Sequence, residues 1–202
     1  MSFSQLRDLE GTTAILGGSF DPIHNGHLQI AQQVLYWTRV ATVLFVPTGN
    51  HPFKQNDIRQ GFAQRYALVK ETIANEPRFA ISEVDKNGSG YTAHLVQKLQ
   101  EANPGIRYVF IIGADNLPQL HEWFDYPWLS KHLHFLVLPR PGFKIDLNLL
   151  ANLRANLLAI ELSPISSSDI KDRIARGISI TGLVPEPLEQ RIFQLYSTAT
   201  PK

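Results

Sequence analysis

The run Gly17-Gly18-Ser19-Phe20-Asp21-Pro22-Ile23-His24-Asn25-Gly26-His27 follows a β-branched and aliphatic stretch, Thr12 to Leu16. It leads into apolar positions of helical period at Leu28, Ala31, Val34 and Leu35. It therefore reads as a strand-to-helix turn. Adjacent glycines let the backbone turn sharply and approach a ligand closely, and the helix that follows offers unpaired N–H groups and the positive end of its dipole to an anion. His24 and His27, three residues apart on the first turn, point to one side. The pattern suits a polyphosphate. The alternative is that both histidines only cap and solvate the helix start.

Other motifs fit poorly. The segment lacks the GK[ST] ending of a P-loop and the third glycine of the dinucleotide fingerprint. Zinc normally takes three or four protein ligands, and the chain has no cysteine and no HExxH. The 19 basic and 18 acidic residues give no field for gripping a nucleic-acid backbone. Residues Met1 to Glu10 lack a basic region followed by an apolar core, and no apolar run approaches membrane-spanning length, so no membrane partner is expected. Without cysteine there is no disulfide framework, and a cytoplasmic protein is the simplest expectation. The 202 residues contain no repeat, low-complexity tract or linker, which predicts one domain over 1–202.

Strand-like runs fall at Thr12–Leu16, Ala41–Val46, Phe79–Val84, Ile106–Ile112, His132–Leu138 and Leu157–Leu162. Helical patterns fall at Gly26–Thr38, Arg59–Asn75, Thr92–Glu101, Asn116–Ser130, Asp146–Asn156, Ser167–Arg176 and Glu186–Tyr196, the last read as a packing helix without chemistry. Alternation of this kind predicts a doubly wound α/β fold, a parallel sheet covered on both faces. Ligands of such sheets bind outside the carboxyl ends of the strands. The segments following the predicted strands are GGSFDPIH, Pro47 to Lys54, Gly113 to Asn116, Pro139 to Gly142 and Ser163 to Ser167. Polar, flexible chemistry is thus concentrated on one edge.

GGSFDPIHNGHL resembles the HxGH signature of the nucleotidyltransferase superfamily, and in its GG.FDP.H.GH form the bacterial nicotinate mononucleotide adenylyltransferases. Ile165-Ser166-Ser167-Ser168-Asp169-Ile170-Lys171 is similar to that family's ISSTxIR element, which opens a late helix over the ATP phosphates. The resemblance runs from roughly Thr13 to Tyr196. It implies a Rossmann-like nucleotidyltransferase domain and an enzyme of NAD biosynthesis, transferring the adenylyl group of ATP to nicotinate mononucleotide with release of pyrophosphate. Such a reaction needs alignment and charge neutralisation more than a protein nucleophile. Mg²⁺, a hard ion that binds chiefly through phosphates, is the implied cofactor, held by ATP without protein ligands.

The resemblance also implies roles. Gly18, Ser19 and Phe20 bring backbone close to the nucleotides, while His24 and His27 contact ATP phosphates. Ile165, Ser167 and Ser168 line the leaving pyrophosphate, with Lys171 as the cation one turn later. The same serines are ordinary helix-cap punctuation. Asp115, in a GxD element, accepts from the ATP ribose hydroxyls or caps the next helix. On the acceptor side stand His51 and Lys54 of a PPHK-like loop, Tyr91 and Thr92 of a YTxDTL-like element, and Arg140 of an RPG loop, which either pairs with phosphate or braces its loop. Trp123 either stacks on the pyridine ring or packs in an aromatic cluster with Phe124 and Trp128.

The chain departs from the pattern at four positions. Phe53 replaces histidine in the PPHK-like loop, His94 the aspartate of YTxDTL, Ser168 a threonine and Lys171 an arginine. Lysine lacks the planar fork that binds phosphate bidentately, so either the ATP geometry is looser or nearby Arg173 helps. The departures leave three functions open: the adenylyltransferase above; one with another acceptor, nicotinamide mononucleotide or phosphopantetheine; and a non-catalytic nucleotide-binding module. A homo-oligomer is compatible with all three.

Overall fold

The computed structural model describes residues 9–49, 57–140 and 142–198. Six strands form one parallel sheet: β1 (Thr13–Gly18), β2 (Thr42–Pro47), β3 (Phe79–Ile81), β4 (Tyr108–Gly113), β5 (His134–Leu138) and β6 (Ala155–Leu157). Their order across the sheet is β3-β2-β1-β4-β5-β6. The expected doubly wound α/β fold is therefore the observed one. The order reverses between β1 and β4, and the carboxyl ends of those two strands open the crevice where such sheets bind ligands.

Burial follows the two-residue period of a strand covered on both faces. Ala14, Leu16, Phe45, Val109, Ile111 and Leu136 enter one core with the helices α1 (Asn25–Trp37), α2 (Phe62–Thr72), α6 (Ser167–Ala175) and α7 (Glu189–Ser197). Ile15, Val46, Phe110, Ile112, Phe135 and Val137 enter the other with α3 (Thr92–Ala102), α4 (Tyr126–His132) and α5 (Leu147–Ala151). No described helix is long and apolar enough to cross a membrane.

Several boundaries differ from those predicted. The last strand pairs at Ala155–Leu157, not Leu157–Leu162. Leu158 still donates its N–H to Val137, but its partner strand then reaches Pro139, which has no N–H to give. Leu158 and Ile160 are buried by helix packing without a ladder. The helix expected over Asp146–Asn156 shortens to α5, capped by the Asp146 carboxylate on the Asn148 N–H, because Ala155 and Asn156 are taken by β6. The helix expected over Asn116–Ser130 splits into a 3-10 helix, Ala114–Glu122, containing Pro118, and α4. Asp125, in the left-handed region at φ 53°, separates them. The predicted strand ends at Val84 and His132 give way to Ile81 and His134, since α4 runs through His132. The final predicted helix begins as a 3-10 turn, Glu186–Leu188.

Phe45 lies fully buried on β2, with ring centroids 5.9 Å from Phe20 of the glycine-rich loop and 5.4 Å from Phe79. Phe45→Ala is expected to destabilise the fold by about 3–5 kcal/mol, read as a shift in the urea unfolding midpoint at unchanged slope.

Candidate active site

The loop after β1 is held from beneath by two buried charges. Phe20 takes a left-handed conformation (φ 48°) and puts its ring into the core, with its edge toward His27 at 4.9 Å. Asp21, buried, accepts four hydrogen bonds: from the backbone N–H groups of Arg59 (2.9 Å) and Gln60 (3.1 Å), from the Tyr196 hydroxyl (2.7 Å) and from the Lys171 ammonium (3.1 Å). Burial first, and Asp21 second, push the Tyr196 pKa up, so its hydroxyl stays a donor. Arg65, buried on α2, donates to the carbonyls of Ser19, Gln60 (3.0 Å) and Thr48 (2.8 Å). The backbone of Gly18, Ser19 and Phe20 is thereby fixed at the sheet edge before any ligand arrives.

His24 is the N-cap residue of α1, in extended conformation, and its N–H donates to His27 Nδ1 at 3.3 Å. The two rings stack at 3.7 Å. A Cβ on Gly26 would sit 3.0 Å from His24 Nδ1 and 3.5 Å from the Ile165 carbonyl, so glycine is what lets the ring and the approach to α6 fit together. Burial, and then Arg140, lower the His24 pKa from 6.5 to about 4. Burial, His24 and Arg140 hold His27 well below the usual range. Both imidazoles are neutral at pH 7. Since His27 Nδ1 accepts, the proton of the neutral ring resides on Nε2, which is a donor.

The start of α6 meets the start of α1. Ser166 is its N-cap, accepting from the Asp169 N–H at 3.1 Å, and the Ser167 hydroxyl donates to the Pro22 carbonyl at 2.8 Å. Ser168 is exposed. Two helix N-termini, each with a positive dipole end, thus converge beside the glycine-rich loop. Lys171 reaches from α6 to the loop residue Asp21. Its ammonium is shared between Asp21 and the Asp57 carbonyl (2.8 Å), with 13% of the side chain exposed. Arg173 pairs with Asp169 at 3.1 Å on the outer side of the helix.

Across the crevice, Asp115 after β4 and Arg140 after β5 form an ion pair at 3.4 Å. Asn116 donates to Asp115 at 3.4 Å and to the Gly113 carbonyl at 3.3 Å. Arg140 is half-exposed, and its charge acts on both histidines as well as on Asp115. Tyr91 caps α3 with Thr92 in its first turn, and its ring stacks on Phe124 at 5.0 Å. Trp123 is partly buried in the second core, edge-on to Phe110 at 6.4 Å, so packing is one of its roles. His94 closes the aromatic group at 4.6 Å from Phe124 and bonds Ser89 Oγ at 2.7 Å. Ser89 Oγ also accepts from the Tyr91 N–H, so a serine and a histidine orient this loop where the resembling family has aspartate. His51, Lys54 and Phe53 lie outside the described residues.

Residues 15–173 match the cytidylyltransferase-like family. The chain is 36% identical over 183 residues to a probable nicotinate-nucleotide adenylyltransferase of Clostridium tetani, covering 86% of this chain and 92% of that one. It is 38% identical over 176 residues to its counterpart from Frankia alni, covering 85% and 92%. The chain belongs to the nicotinate-nucleotide adenylyltransferase family. A Plasmodium falciparum nicotinic acid mononucleotide adenylyltransferase, solved in complex with NaAD, shares the fold at a TM-score of 0.81 and 21% identity, over 96% of this chain and 99% of that one. The fold is shared also by a nicotinate-nucleotide adenylyltransferase structure from Vibrio parahaemolyticus, at a TM-score of 0.69 and 18% identity, over 95% and 99% of the two chains.

Three residues that support the site carried no role in the sequence reading: Asp21, Arg65 and Tyr196. Each left a trace. Asp21 stands inside the quoted motif, and Arg65 and Tyr196 fall on the apolar stripes of their helices, beside Leu68 and Val69 and beside Ile192. A charge on a buried stripe calls for partners.

A histidine whose folded pKa lies below its ordinary value binds fewer protons folded than unfolded, so stability falls as pH drops from 6.5 toward 4. Thermal melts at pH 7.5 and 5 are expected to show a lower Tm at pH 5, with a smaller difference in His24→Gln.

Proposed function

We propose that this enzyme transfers the adenylyl group of ATP to nicotinate mononucleotide, releasing pyrophosphate and forming deamido-NAD. The observation that carries the reading is the pair of neutral histidines seated where the starts of α1 and α6 converge, at the point where strand order reverses. A polyphosphate bound there meets donors and helix dipoles, with little net charge to desolvate.

In the reaction, a phosphate oxygen of the mononucleotide attacks the α-phosphorus of ATP. The new P–O bond forms as the bond to the bridging oxygen breaks, and that electron pair leaves with pyrophosphate. His27 donates from Nε2 to an α-phosphate oxygen as negative charge spreads onto it, and His24 holds the His27 ring through its N–H and by stacking. Gly18, Ser19 and Phe20 present fixed backbone to the nucleotide. The N–H groups of Ser167 and Ser168 at the α6 start receive the leaving group, while the Ser167 hydroxyl holds the loop at Pro22. Arg140 supplies a cation on this side, and Asp115, braced by it, accepts from ribose hydroxyls. Tyr91, Thr92 and the aromatic group of Phe124 and Trp123 receive the pyridine end, and the family resemblance gives the acceptor phosphate to His51 and Lys54.

Nucleotidyltransferases of this kind generally use a divalent ion. Among the described residues no group of three or more His, Asp or Glu side chains is placed to hold one, and the donors lining the site suit phosphate oxygens. The ion we infer is Mg²⁺ carried in on the ATP phosphates, where it would offset their charge.

With ATP, Mg²⁺ and a panel of phosphorylated acceptors, pyrophosphate release is expected only where nicotinate mononucleotide is present. His27→Ala is expected to lower kcat about 100-fold or more with an unchanged circular-dichroism spectrum. Unchanged turnover would remove the histidine from the mechanism.

A further inference from the structure

Asp85 is a buried carboxylate, 3% exposed, outside every motif considered above. Its Oδ2 accepts from the Gly49 N–H at 3.1 Å, and its Oδ1 from the Gly90 N–H at 3.3 Å. Gly49 lies just beyond β2. The residue before it, Thr48, is bonded to Gly18 through its N–H (2.9 Å) and to Arg65 through its carbonyl (2.8 Å), so this end belongs to the glycine-rich loop assembly. Gly90 immediately precedes Tyr91, the cap of α3. The chain makes room for the carboxylate: a Cβ on Gly88 would stand 1.9 Å from Asp85 Oδ1, and one on Gly49 2.1 Å from the Asp85 carbonyl. Lys98 is the charged side chain that acts on it, opposing the upward push of burial on its pKa.

Burying a carboxylate to tie two loops is costly unless the tie is used. We propose that Asp85 is a positioning residue that sets the spacing between the backbone at Thr48 and Gly49, which is bonded to the glycine-rich loop, and the acceptor-side loop at Gly90, Tyr91 and Thr92. The inference rests on the functional reading above. Asp85 touches neither substrate. It acts by holding two pieces of backbone in register, so that the acceptor enters a seat already aligned with the α-phosphate.

The test compares wild type with Asp85→Asn, whose amide keeps the shape but turns an NH₂ toward one of the two N–H donors. It adds Gly88→Ala, which displaces the carboxylate without altering charge. Both variants are expected to raise KM for nicotinate mononucleotide about tenfold while KM for ATP stays within about twofold. Both are also expected to raise amide exchange at Gly49 and Gly90 together. Equal changes in both KM values, unchanged acceptor KM, or faster exchange at only one loop would each overturn the proposal. Absence of turnover in the wild type would overturn the functional reading and this inference with it; normal wild-type turnover with unaltered variants would overturn the inference alone.

Discussion

The buried Asp21 carboxylate is the constraint on which the site depends. A carboxylate removed from water must have its lone pairs met. Asp21 meets them with four donors from three places: the segment entering α2 (two N–H groups), helix α6 through Lys171, and helix α7 through Tyr196, all gathered on the loop that leaves β1. Removing any donor leaves charge under-compensated in the core. The loop conformation is therefore specified by satisfaction of one anion, and the left-handed Phe20 beside it is held by that same frame. Arg65 mirrors this arrangement, meeting carbonyls where Asp21 meets N–H groups.

Electrostatics of the crevice come from geometry more than from side-chain charge. The chain is nearly neutral overall, the two histidines are neutral by burial, and Lys171 is spent on Asp21. Among the described residues at the convergence of α1 and α6, what remains positive is a pair of helix N-termini and the half-exposed Arg140. Fixed dipoles of this kind are already oriented when a phosphate arrives and need little rearrangement as charge moves.

The fold was legible because its signals are local: short branched runs, helical stripes and turn glycines alternate with little ambiguity from Thr12 to Leu138. Boundaries failed where a decision lay elsewhere in the chain. Whether residues 158–162 pair depends on Pro139 of the neighbouring strand, and whether Arg59 and Gln60 join α2 depends on Asp21 drawing their N–H groups away. The grouping of His24, His27, Asp115 and the serines of α6 at one edge of the sheet was legible in the motifs, but the bonds that hold them there were not. Lys171 shows the difference: a cation at the right position in sequence can be directed by a partner 150 residues away. Nothing near Lys171 in sequence announces Asp21, and nothing near Asp85 announces that it joins Gly49 to Gly90.

The bond between Tyr196 and Asp21 spans 175 residues. A chain in which α7 has not yet docked still can form β1, β2 and their helices, because those contacts are close in sequence, but it lacks the donor that completes the nucleotide loop. Closing so long a separation is entropically late work. The frame of the glycine-rich loop is therefore complete only once both ends of the chain are in place.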